Sequence, residues 1–262
     1  TKEANITATP ASLPLILGGA AITLVGWLAL TLGATFSGND MRLSVVAANT
    51  LLSGAAGAVG AGAFFFARRH APGADPSAVR LVLGVLGGFA AAAASAPFVT
   101  ASGAVLTGLV AGFVTGAARH VLSRLLGGDV AAGTVAVHGL GGAWGILAVG
   151  LFSDGSYGQG WGGLHLLAKD GALRSLVNDG ASGTLNQFAT LTSPTAEEGG
   201  WDDQGVTGLF GPLFGGAHWD GLQLLAQAIG LLAAVVLIGG LVYVLFLLFR
   251  RYFPPVNLLA KD

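Results

Sequence analysis

His138 is the side chain of this chain best placed to do chemistry in an apolar setting. It lies in Asp129–Phe152, D-V-A-A-G-T-V-A-V-H-G-L-G-G-A-W-G-I-L-A-V-G-L-F, where nothing else titrates near neutral pH. A helix of roughly 20 apolar residues crosses a bilayer core of about 30 Å. A polar ring inside such a helix is costly unless it faces a pore, a cavity or a partner helix. A neutral imidazole there can accept a hydrogen bond or a proton. Gly139, Gly141, Gly142 and Gly145 crowd the same stretch and leave room for other helices to come close. Two roles stay open for His138: a ring facing a cavity, and a ring satisfied by a neighbouring helix.

Other constellations that carry chemistry are poorly represented. The chain has no cysteine, so it offers no disulfide or thiolate metal site. No paired carboxylates occur within an apolar span. His120, His138 and His218 would have to reach one metal from opposite sides of a membrane. We therefore expect neither an enzyme nor a bound metal or cofactor. Asn49, inside another apolar run, is expected to bond a neighbouring helix, with a pore role as the alternative. Trp27 and Trp144 read as packing or headgroup-belt residues.

These residues need elements to position them, and composition says which kind. Of 262 residues, 53% are hydrophobic and 10% charged, with a mean hydropathy of +0.73. Soluble chains carry about 25% charged residues, so the deficit marks an integral membrane protein. The apolar runs are long and do not alternate, which predicts helices rather than a barrel. The fold class expected is an all-α, polytopic transmembrane bundle of six spans: about 13–35, 43–67, 79–96, 103–122, 130–152 and 222–249. It is read as a single membrane domain over 1–262, with an extracytoplasmic insertion at 153–217. Glycine is 44 of 262, and small residues let membrane helices approach closely. Ala104, Gly108, Gly112 and Gly116 recur every four residues and form the strongest helix-contact stripe. Gly54, Ala58 and Gly62 form another, and Gly141 and Gly145 a third. Within the insertion, Leu164–Leu176 is expected to form a short surface helix, and Trp161 and Trp201 to sit in the core of the loop.

Six spans put both termini on one side. With the N-terminus inside, nine Lys and Arg residues fall inside, from Lys2 through the Arg68–Arg69 and Arg250–Arg251 pairs to Lys261. Only Arg42, Lys169 and Arg174 fall outside. The positive-inside rule then predicts cytoplasmic termini, in a bacterial inner membrane, with the insertion and its five net negative charges outside. A net charge of -1 gives no polybasic surface, so nucleic acid is not an expected partner. The chain begins at Thr1 rather than a start Met, which suggests a processed or trimmed N-terminus.

Val137-His138-Gly139, Gly141-Gly142-Ala143-Trp144-Gly145 and Gly150-Leu151-Phe152 resemble the ammonium transporter (Amt/Mep/Rh) family. The resemblance extends, in order, to Gly26-Trp27 with Gly33, to Asn49-Thr50, to Gly103–Gly116, to Phe152–Gly163 and to Gln223–Gln227. It implies the C-terminal half of such a protein, helices six to eleven of eleven. The family's fold is two inverted five-helix repeats plus a final helix, assembled as a trimer, with a conduction path through each subunit. Two histidines, one from each half, face each other in that path, and His138 stands at the second position. The family's outer gate has a Phe three residues after Gly-Trp, where this chain has Leu30. A Ser of the outer recruitment site is replaced by Ala34, and of a pair of acids before the His helix only Asp129 remains.

The candidate pore or substrate residues are thus His138, Leu30, Trp27 and Asn49. Expected partners are the lipid bilayer, other membrane subunits or further copies of the chain, and ammonium or ammonia. Two functions follow from the resemblance. In one, the chain supplies half of an ammonium/ammonia conduction path and another chain supplies the rest. In the other, it is a pore-dead accessory or scaffold subunit of a larger membrane complex.

Overall fold

The computed structural model describes residues 13–34, 42–67, 77–126, 129–155, 206–216 and 219–252. They form α1 (Leu13–Gly33), α2 (Arg42–Ala67), α3 (Ser77–Ser95) and α4 (Ala101–Leu126). A composite rod follows: α5 (Asp129–Thr134), a π-helical segment (Val135–Gly141) and α6 (Gly142–Phe152). After a short 3-10 turn, Gly211–Phe214, comes α7 (Gly221–Tyr252). Among the described residues, five stretches are long and apolar enough to cross a membrane: α1, α2, α4, the composite rod and α7. The apolar part of α3, Val79–Ser95, is shorter.

The centre of the bundle is built by glycine and alanine, because membrane helices gain from close backbone approach. On α4, a Cβ added to Gly108 would overlap the Ser53 carbonyl of α2, and one added to Gly112 would overlap the Gly57 carbonyl. Gly84 and Gly88 of α3 meet Gly57 and Ser53 from the other side. The composite rod joins by the same means, with Gly145 against Ala91 of α3. Val46, Ala92 and Ala96 form a small buried core where α2 meets the end of α3, and Leu32 of α1 packs against it.

The contact register on α2 differs from the stripe expected at Gly54, Ala58 and Gly62. The close approaches run through Ser53, Gly57 and Gly60, while Gly54 holds the Phe89 ring and Gly62 touches only the end of Leu81. A helix as rich in small residues as α2 offers several stripes, and its neighbours on both sides select among them. Two ends also differ. α4 continues past residue 122 to Leu126, because Arg124 in its last turn favours the negative end of the helix. α7 includes Arg250, Arg251 and Tyr252 for the same reason.

Capping side chains set where helices begin. Thr100 Oγ1 accepts from the Gly103 amide at 3.3 Å at the head of α4. Asp220 Oδ1 accepts from Leu222 and Gln223 at 2.9 and 3.1 Å at the head of α7. Such caps satisfy N–H groups that have no partner within the helix.

The C-terminal end of α6 is closed by residues 206–210. The amides of Leu209 and Phe210 donate to the Gly150 and Leu151 carbonyls, each at 2.8 Å. Ser153 and Asp154 pair with Val99 and Thr207 in isolated antiparallel bridges. Phe152 lies against Phe210 and Phe214, with ring centroids 6.5 and 5.3 Å away. Gly215, with φ 103°, makes the left-handed turn that ends the 3-10 segment. The Leu164–Leu176 helix, Trp161 and Trp201 expected in the insertion lie outside the described residues.

Candidate functional site

The π segment decides where His138 points. In a regular α-helix, positions three apart share a face, so His138 would lie on the face of Gly141. Gly141 is buried, and a Cβ on it would stand 3.2 Å from the Gly87 carbonyl oxygen of α3. His138 is instead exposed. An i→i+5 ladder winds more loosely than an i→i+4 one. It turns the imidazole away from the packed face while Gly141 and Gly145 keep theirs.

The imidazole meets Trp27 of α1. The two rings are nearly parallel, at 17°, with centroids 6.0 Å apart. Elsewhere on the two helices Leu30 is 59% exposed, Val135 44% and Leu140 42%. Gly142, next along the rod, has nothing within 4 Å of the place its Cβ would take. Among the described residues, His138 thus has the indole of Trp27 beside it and is otherwise exposed.

Asn49 is placed elsewhere. It is 1% exposed, and its amide nitrogen donates to the Ala96 and Val99 carbonyls at 2.9 and 2.7 Å. These carbonyls lie where the chain leaves α3 and turns toward α4, so Asn49 fastens that turn to α2. Of the four candidate pore residues, the structure brings His138 and Trp27 together, leaves Leu30 exposed on α1 and sets Asn49 in the interior. Trp144, further along the rod, donates Nε1–H to the Thr107 carbonyl of α4 at 2.9 Å and meets Phe152 edge-on. It locks the rod to α4.

Several supporting contacts escaped the sequence reading. Thr31 and Thr50 are buried at 3% and 0%, with hydroxyl oxygens 3.5 Å apart. Ser53 donates to the Gly88 carbonyl at 2.9 Å. Their signal is a hydroxyl within an apolar run, which marks a helix contact but not its partner. Among the described residues, no three His, Cys, Asp or Glu side chains gather as a metal site would require.

Comparison with known proteins agrees with this architecture. The model of the Ammonium Transporter Family matches residues 1–254. Ammonium transporter Amt2 of Archaeoglobus fulgidus is 34% identical over 158 residues, covering 60% of this chain and 33% of its own. Amt1 of the same organism is 31% identical over 147 residues, 55% of this chain and 35% of its own. A putative ammonium transporter of Synechocystis is 35% identical over 139 residues, 52% and 31% respectively. A solved structure, the Sensor Amt Protein, shares the fold with a TM-score of 0.61 at 23% identity, covering 93% of this chain and 45% of that one. The matches span about a third of the curated relatives and less than half of the solved one.

Proposed function

Since the chain belongs to the Ammonium Transporter Family, we propose that it supplies one wall of an ammonium/ammonia conduction path whose other wall comes from a second set of helices. The observation that carries this reading is the His138 ring, stacked on Trp27 and exposed. A polar group kept at membrane depth on an unfilled apolar surface fits a substrate path better than a scaffold, which would bond it away. Apolar walls would strip water from the cation, and the imidazole would accept a hydrogen bond or proton from it. Lipid surrounds the outer faces, and the subunits assemble as trimers by family resemblance. The Lys and Arg distribution supports cytoplasmic termini and a bacterial inner membrane. The insertion at 153–217 then lies outside.

A scaffold role is the second reading. Leu30 and Ala34 replace the gate and recruitment residues of the family pattern, and Asn49 is wholly engaged in holding the bundle. The deciding experiment is methylammonium flux in proteoliposomes carrying the native membrane assembly. Flux lost in His138→Ala, and kept in Leu237→Ala on the exposed flank of α7, supports conduction. Absence of flux from the intact assembly, with unrelated subunits copurifying, supports the scaffold.

A further inference from the structure

We infer that Thr31 is a positioning residue that seats α1 on the bundle and thereby sets Trp27 over His138. The inference takes its functional meaning from the conduction reading above, though its structural content stands apart from it. α1 is a loosely held span. Leu15, Ile22 and Val25 are 69%, 76% and 68% exposed, and Gly18, Gly19 and Gly26 have nothing within 4 Å of an added Cβ. Among the described side chains of α1, Thr31 alone is buried, at 3%. Next to it, Leu32 packs on the core of Val46, Ala92 and Ala96. The helix is thus held to α2 and α3 at its last turns, while many side chains along the rest of its length are exposed.

Thr31 also bonds the backbone of the residue that carries the indole. Its Oγ1 lies 2.9 Å from the Trp27 carbonyl oxygen and 3.2 Å from that of Leu28, so its single hydrogen is used inside α1. Back-bonding of this kind satisfies a hydroxyl in apolar surroundings and bends the helix slightly at that turn. On its other side the same oxygen stands 3.5 Å from Thr50 Oγ1, whose hydrogen is best spent on the Val46 carbonyl at 2.7 Å. The contact between the two threonines is therefore one of shape. Thr31 fills a buried site against Thr50, one turn beyond Trp27, so a displacement there is expected to move the indole relative to the imidazole.

The test uses the full chain in nanodiscs, labelled with 5-fluorotryptophan, with the Trp27 resonance assigned by Trp27→Phe. His138→Ala removes the facing ring and defines the shift that marks a lost stack. Thr31→Leu adds bulk against Thr50 and is expected to move the Trp27 resonance toward the His138→Ala position. Thr31→Val keeps the shape and is expected to leave it in place. Leu32→Ala loosens the same seat without adding bulk and is expected to move the resonance in the same direction, so it carries the test if Thr31→Leu fails to fold. A Trp27 resonance that stays at its wild-type position in folded Thr31→Leu, or in Leu32→Ala, overturns the inference. A resonance that moves as expected in a wild-type assembly without flux sinks the conduction reading and leaves the positioning role intact.

Discussion

The Gly57 carbonyl of α2 occupies the space that a methyl group on Gly112 of α4 would need. Backbone meets backbone here, so no side-chain rotation can relieve an added atom. Gly112→Ala is expected to destabilise the protein by about 1–3 kcal/mol, the usual cost of overpacking. Thermal unfolding in detergent checks this. Gly230→Ala on α7, where nothing lies within 4 Å, is the control. It is expected to be neutral or to stabilise by up to about 1 kcal/mol, since alanine favours helix over glycine.

Asn49 holds the Ala96 and Val99 carbonyls from inside the bundle. Asn49→Leu has similar bulk but strands both acceptors, which is expected to cost about 1–3 kcal/mol. Asn49→Asp is expected to be at least as harmful, because a carboxylate cannot donate. If Asn49 is a fastening residue, flux per folded molecule stays at the wild-type level in any variant that folds. A specific loss of flux in well-folded Asn49→Leu would return this residue to the pore.

Trp144 ties the composite rod to α4 by one hydrogen bond to the Thr107 carbonyl. Trp144→Phe keeps most of the ring and removes the donor. The expected loss is about 0.5–1.5 kcal/mol, read from the melting temperature, with the Trp27 fluorine resonance unmoved. Trp27→Phe is expected to cost less stability and to change the environment of His138, so the two tryptophans separate by readout.

Asp220 accepts from two amides at the head of α7. Asp220→Ala is expected to cost about 0.5–2 kcal/mol and Asp220→Asn far less, as both Asp and Asn cap well. Hydrogen exchange locates the effect: faster exchange at Leu222 and Gln223 in Asp220→Ala, with the middle of α7 unchanged.

The sequence made the membrane class and the helical spans readable because hydropathy and length act locally. The Gly108–Gly112–Gly116 stripe was readable for a similar reason, since four-residue spacing on one helix needs no knowledge of its partner. What stayed hidden depends on two elements at once. The register of α2 is chosen by α3 and α4 together, which put Ser53, Gly54 and Gly57 at the crossings and leave Gly62 touching only the end of Leu81. Nothing in V-A-V-H-G-L-G separates a π turn from an α turn, because the choice is made by the rod's need to keep Gly141 on α3. The carbonyls that receive Asn49 lie 47 and 50 residues away along the chain, beyond any pattern of spacing.

α7 has 32 residues, a rod of about 48 Å at 1.5 Å per residue. Hydrocarbon about 30 Å thick cannot take up that length upright. The surplus is absorbed by leaning or by bilayer deformation. The helix is seated near its N-terminal end, where Leu224 rests on Gly150 and Gln223 is buried. Where the surplus goes into leaning, that foothold is the pivot, and the far end of the helix sweeps sideways along a stretch of perimeter wider than its own diameter.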